Sequence, residues 1–270
     1  MNRTDVRTLQ RFLAKDSSYR GEIDGLRGPK TRAAVNATLE AHAERLPAGA
    51  ETWSDRRRAV ACLQIACRLK KIQVGPIDGF WGPQTEHAAE VLATIQATGK
   101  PPAPWRDQQP LDANPNGWVR EAELHQALGS PTRKPPMVVV PCPWQLCLAW
   151  DLGTHPSGIG CHERVAESLA RILVRVNDHY GPERLREMGL HCYGGCYNKR
   201  RKRGGTAWST HAWGIAIDWD PAHNKLKWGR DRARLARPEY DTWWRLWEEG
   251  WVSLGRTRNF DWMHVQAAKL

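Results

Sequence analysis

The chain has no hydrophobic run approaching the roughly 20 apolar residues that cross a bilayer, so no membrane segment is expected. It also has no apolar stretch behind its start. Met1, Asn2, Arg3, Thr4 and Asp5 lead directly into a polar amphipathic pattern, and no secretory signal is expected. Acidic residues are few beside basic ones, 29 Asp and Glu against 40 Lys and Arg, and the net charge of +11 favours attraction to a polyanion. Cell-wall polymers and nucleic acid both qualify. A DNA reader needs a dense Arg/Lys face on its recognition helix, and neither second helix of the repeats in the first third shows one: Glu86, His87 and Glu90 fall where such a helix would want Arg or Lys. Nucleic acid is therefore not an expected partner.

The seven cysteines, Cys62, Cys67, Cys142, Cys147, Cys161, Cys192 and Cys196, lack the spacing of a standard zinc finger. Without an export signal they are expected to be reduced. Cys62 and Cys67 fall on one helix and read as small core residues. Two groupings offer a structural zinc cluster, Cys142 with Cys147, or His191 with Cys192 and Cys196. A Cys196 nucleophile with a His partner lacks any supporting motif.

At 270 residues the chain has room for two or three domains, and 41% hydrophobic residues are enough for packed cores. The first third contains a tandem repeat. Val6, Leu9, Gln10, Gly21, Ile23, Asp24, Gly25, Gly28, Pro29 and Thr31 recur as Val60, Leu63, Gln64, Gly75, Ile77, Asp78, Gly79, Gly82, Pro83 and Thr85, every pair 54 apart. Each copy reads as helix, loop, helix. Val6, Leu9 and Leu13 share a helical face, Asp-Gly marks a turn, and each Pro follows a Gly at a first helical position. The pattern Leu-Gln followed by Ile-Asp-Gly-x-x-Gly-Pro-x-Thr resembles the peptidoglycan-binding domain family, a small three-helix module. The resemblance implies bacterial peptidoglycan as partner. Its glycines and Asp-Gly turn are read as shaping the loop, with Arg27, Phe80 and Trp81 as candidate substrate-binding residues. A DNA-binding helix-turn-helix is the rival reading.

The last third carries Ser209, His211, Gly214, Ala216 and Asp218, answered by Asp261 and His264. Two imidazoles and a carboxylate could hold one metal ion, and that donor set suits zinc with a fourth position open. Ile215, Ile217 and Trp219 alternate with Ala216, Asp218 and Asp220, which predicts a short strand. Gly214 lets the chain bend so that His211 folds back over the face of Asp218. Asp261 and His264 are three apart, and a single helical turn would put them on one face.

The string Ser-x-His-x-x-Gly-x-Ala-x-Asp with Asp-x-x-His resembles the zinc peptidases of the D-Ala-D-Ala carboxypeptidase type, the VanY-like family M15, which includes phage L-alanyl-D-glutamate endopeptidases. The resemblance covers about residues 160–270. It implies that His211, Asp218 and His264 bind a single catalytic Zn2+ and that Asp261 is the general base. Many relatives have Glu at that last position, and Asp is shorter. The resemblance also implies an arginine that steadies the scissile carbonyl oxygen, Arg200 first and Arg203 second; a solvated basic run or a nucleic-acid patch is the other reading of that segment. Ser209 and Trp213, beside His211, are candidate substrate contacts. Of the 15 Trp, most are expected in the core, with one or two lining a cleft.

The expected architecture is an α+β catalytic domain at 137–270, with a small antiparallel sheet carrying the zinc site between helices. Two all-α three-helix modules precede it at 1–48 and 49–98, then a Pro-rich linker at 99–136 with one helix around Val119–Leu128. Catalytic-domain strands are expected at Val138–Val140, 214–220 and 263–268, and helices at Glu163–His179 and Tyr240–Glu249. The function expected is hydrolysis of an amide bond in the peptidoglycan stem peptide, most simply as an L-alanyl-D-glutamate endopeptidase. The alternatives are a D-Ala-D-Ala carboxypeptidase and a non-catalytic peptidoglycan-binding protein. A monomeric, endolysin-like enzyme of a phage, made in the host cytoplasm and acting on the wall after release, fits the missing export signal.

Overall fold

Apolar residues three and four apart build the first helices. In the computed structural model, which describes residues 1–16, 19–102, 114–247 and 249–270, Val6, Leu9 and Leu13 form the buried stripe of α1 (Arg3–Asp16). Helix α2 (Pro29–Ala41) and helix α4 (Pro83–Thr98) each open on a proline behind an extended glycine. Helix α3 (Asp55–Leu69) is capped by Ser54, whose Oγ accepts from the Arg57 N–H.

These helices make one of two compact units, Met1–Pro104 with Lys202–Ala207. Leu9, Phe12, Leu13, Val35 and Leu39 of the first repeat and Leu63, Ile65, Cys62, Cys67 and Leu92 of the second bury in a single core. The repeats thus share one core, with two α-helices from each copy, where two separate modules were expected. A pair of helices this short has little apolar surface to bury against itself, and packing on its duplicate supplies the rest.

The repeat extends to the buried polar groups. Gln10 Oε1 accepts from the Gly25 N–H, and its Nε2 donates to Asp24 Oδ1, Leu26 O and Thr31 Oγ1. Gln64 Oε1 accepts from the Asp78 and Gly79 N–H groups, and its Nε2 donates to Asp78 Oδ1, Phe80 O and Thr85 Oγ1. Each glutamine therefore holds its Asp-Gly turn from inside. Gly25 (φ 80°) and Gly79 (φ 69°) are left-handed, and a Cβ on either would come within 2.7 Å of a backbone oxygen, that of Arg3 or Arg57.

The second unit is Trp105–Arg201 with Trp208–Leu270. Part of the expected linker, residues 103–113, lies outside the described residues. Beyond it, a 3-10 turn at Glu121–Glu123 runs into α5 (Leu124–Leu128), and Leu124 is buried in the core of this unit. Strand β1 (Met137–Pro141) pairs antiparallel with β3 (Gly158–His162). Helix α6 (Glu163–Glu187) buries Val165, Leu169, Ile172, Leu173 and Val176, and it kinks at Gly181-Pro182. Strand β2 (Cys147–Leu148) pairs parallel with β4 (Cys192–Tyr193). Strands β5 (Ala216–Asp218), β6 (Val252–Ser253) and β7 (His264–Gln266) form an antiparallel sheet in the order β5-β7-β6. Helices α7 (Asp241–Leu246) and α8 (Leu254–Arg258) complete the unit.

The class is mixed, compatible with α+β, but among the described residues three small sheets replace one, and one of the pairs is parallel. Trp219, Trp243, Trp244, Trp247, Trp251 and Trp262 are buried, and edge-to-face contacts link them, with Trp219 and Trp243 centroids 5.3 Å apart and Trp262 joined through Trp244. Among the described residues no helix is long and apolar enough to cross a membrane.

Candidate metal centre

Gly214 turns the chain at φ 67°, and its N–H donates to the His211 carbonyl, closing the 3-10 turn Thr210–Trp213. That bend returns His211 over β5. Alternation then divides β5 between two faces: Ile217 is buried in the core, while Asp218 points to the other side. Register places Asp218 directly opposite His264 on β7. Three donor atoms meet as a result. His211 Nε2 is 3.2 Å from Asp218 Oδ1 and 3.1 Å from His264 Nδ1, and His264 Nδ1 is 3.1 Å from Asp218 Oδ1.

The remaining nitrogens fix what this triangle can hold. His211 Nδ1 lies 2.6 Å from the Cys196 carbonyl oxygen, an acceptor only, so the proton sits on Nδ1. His264 Nε2 lies 3.0 Å from Gln266 Oε1. Gln266 is oriented by its own amide, which donates to Glu121 Oε1 and the Ala268 carbonyl, and by Thr210 Oγ1, which donates to its Oε1. His264 therefore donates from Nε2. With His211 Nδ1 and His264 Nε2 donating outward, each imidazole in its neutral form turns its lone pair toward the Asp218 carboxylate oxygen, and the three residues could together hold a metal ion. A tetrahedral zinc with bonds of about 2.0–2.1 Å sets its ligand atoms roughly 3.3 Å apart, close to the spacing here. The residues fit the ion, and the outer hydrogen bonds are those that orient metal ligands.

Asp261 is three residues before His264, but not on a helical turn. It has φ 56°, in the left-handed region that non-glycine residues rarely occupy, and its carbonyl accepts from the His264 N–H in a tight turn that enters β7. Strand pairing of His264 with Asp218 overrides the helical spacing. Asp261 Oδ1 is shut off from solvent with no hydrogen-bond partner. Burial pushes its carboxyl up to about 6; the charges of His264, His211 and Arg200 pull it down and that of Asp218 pushes it up. Asp218 is held far below the usual carboxylate range: burial opposes ionisation, but His211 and His264 outweigh it.

Of the two candidate arginines, Arg200 acts on Asp261 through its charge, while Arg203 is exposed and belongs to the first unit. Ser209 is buried at the start of the 3-10 turn, and its N–H donates to the Arg200 carbonyl. Trp213 is buried, with its indole N–H donating to the Gly129 carbonyl. In the first unit Arg27 is exposed and borders a shallow recess with Thr31, Arg32 and Asp55. Phe80 is partly exposed, and the Arg57 guanidinium lies between it and Trp53, 4.3 and 4.2 Å from the two ring centres. Trp81 is partly buried against the core. The thiol of Cys196 donates to the Gly214 carbonyl and burial raises it well above its ordinary range, which disfavours the nucleophile reading.

Thr210, Gln266 and Glu121 were not anticipated as supports of the centre. Gln266 was within reach, since it lies two residues beyond His264 on the same strand face. Glu121 was not, because nothing local connects it to β7. Comparison of the chain with protein-family models, curated proteins and solved structures found no match.

Proposed function

We propose that this protein is a zinc-dependent peptidase of the peptidoglycan stem peptide, with His211, Asp218 and His264 as the metal ligands. The observation that carries the reading is the convergence of two imidazole nitrogens and a carboxylate within 3.2 Å of one another, beside a buried carboxylate oxygen with no partner. When bound, zinc supplies Lewis-acid polarisation of the scissile carbonyl and makes water easier to ionise.

The chain's own groups do the rest. Asp261 Oδ1, unpaired, takes a proton from the attacking water and delivers it to the leaving amine. Its raised affinity for protons suits a group that must both accept and return one. Arg200, whose charge acts on Asp261, is the group assigned to steady the charge that grows on the carbonyl oxygen, a contribution on the order of 3 kcal/mol. The Cys196 carbonyl and Gln266 keep the imidazoles in one tautomer, so the ligands need no reorganisation.

The substrate class rests on the sequence resemblances: peptidoglycan-binding repeats in the first unit and an M15-like centre in the second. The first unit binds the wall, with Arg27, Phe80 and Trp81 as its candidate contacts, and tethering raises the local substrate concentration. The bond favoured is L-Ala–D-Glu, and the setting is an endolysin-like enzyme released to the wall. Digestion of purified peptidoglycan by wild type, Asp261→Ala and chelator-treated protein tests this, with fragments identified by mass spectrometry. New N-terminal D-Glu from wild type alone is expected. Free D-Ala would make the enzyme a carboxypeptidase, and sedimentation with the wall without any cleavage would leave a binding protein.

A further inference from the structure

The parallel pairing of β2 with β4 sets Cys147 opposite Cys192, and the Cys147 N–H donates to the His191 carbonyl, which locks this register. Three donors gather as a result. Cys147 Sγ and Cys192 Sγ are 3.5 Å apart, and His191 Nε2 is 3.7 Å from Cys192 Sγ. All three ligand atoms lie within 4.8 Å of one another. The trio crosses the groupings drawn from sequence: Cys147 leaves Cys142, and Cys196 turns away to the Gly214 carbonyl.

We infer that Cys147, His191 and Cys192 form a second metal site, for a borderline-soft divalent cation of the zinc type. Tetrahedral zinc with bonds of about 2.3 Å to sulfur and 2.0–2.1 Å to nitrogen places sulfur atoms roughly 3.7 Å apart and sulfur and nitrogen roughly 3.6 Å apart. The observed 3.5 and 3.7 Å match that spacing. A disulfide needs its sulfurs at about 2.05 Å, and none of the seven cysteines is bonded to another. Two thiolates and an imidazole select zinc over the hard cations, which prefer oxygen. His191 and Cys192 are only half-buried, so a fourth position is open to solvent or a small ligand.

The site also has a structural consequence. An ion here ties β2 to β4, and the chain leaving β4 holds the first centre: the Gly194 N–H donates to the Asp218 carbonyl at 2.7 Å, and the Asp218 N–H to the Gly195 carbonyl at 3.1 Å. The second ion thus braces the backbone that carries a ligand of the first. The inference stands apart from the hydrolytic reading, because its donors are different residues.

Cobalt(II) titration of the full-length protein under reducing conditions separates the two centres, since only thiolate ligands give sulfur-to-cobalt charge-transfer absorption. Wild type is expected to show that absorption and to bind about two equivalents of zinc. Cys192→Ser and His191→Ala are each expected to lose one equivalent and to lose or strongly weaken the band. The double variant His211→Ala, His264→Ala should keep the band and lose only the other equivalent. Absence of the band from wild type would overturn the site, as would its persistence undiminished in both Cys192→Ser and His191→Ala. So would a Cys147–Cys192 disulfide found by peptide mapping of protein prepared with reductant.

Discussion

Asp261 combines three features seldom found together: a left-handed backbone, a carboxylate oxygen without a partner, and a carboxyl raised to about 6. A general base works deprotonated. Activity should therefore fall as pH drops through about 6, or somewhat lower once a bound cation adds positive charge. Asp261→Asn should lose on the order of 10²- to 10⁴-fold in kcat while its metal content is unchanged; loss of metal with activity would make Asp261 a ligand instead. Gln266→Leu removes the acceptor of His264 Nε2 and should weaken zinc binding about 10- to 100-fold in a competition titration. The grouping of His211, Asp218 and His264 was legible from residue type and spacing, because the bend at Gly214 and the alternation of the following strand are local patterns. The turn at Asp261 was not, since its shape comes from the pairing of β7 with β5.

Elements in the first unit are set by two buried glutamines as much as by their apolar stripes. Gln64→Leu leaves the Asp78 and Gly79 N–H groups without their acceptor inside the fold. It should cost about 2–6 kcal/mol in denaturant unfolding, at roughly 1–3 kcal/mol for each unsatisfied buried group. An unchanged midpoint would mean that water replaces the side chain. The 54-residue offset alone marked both glutamines as equivalent, and the Gly-Pro pairs placed the starts of α2 and α4. What each glutamine bonds to was out of reach, because those partners lie up to 21 residues away along the chain. In the second unit the strands at 216–218 and 264–266 fall inside the expected ranges, since alternation marks a strand's centre better than its ends. The parallel β2–β4 pair left no comparable signal, being only two residues long on each side.

At the scale of the whole molecule, the shared core of the repeats predicts that they unfold together. Leu13→Ala, in the first copy, should lower the stability of both copies in one transition by about 2–5 kcal/mol. Separate transitions, with the second copy unaffected, would argue for independent modules. The net charge of +11 adds a general attraction to anionic polymers, whereas the proposed function puts wall binding on the first unit. The metal-free double variant His211→Ala, His264→Ala should still sediment with purified peptidoglycan in moderate salt. Binding that vanishes as salt rises, with equal binding to DNA, would reduce the interaction to electrostatics.

Residue identity and spacing by themselves determined the duplicated helical pairs, the chemistry of His211, Asp218 and His264, and the mixed class. Each of these follows from local periodicity or from a side chain's own donors. Tertiary structure decided the rest. It merged the repeats over one core, because short helix pairs bury too little alone. It drew Glu121 from the expected linker into the support of Gln266 and His264. It brought Cys147 to His191 and Cys192 across a parallel strand pair. Such placements depend on which distant segments pack together, and no local pattern in the chain encodes that.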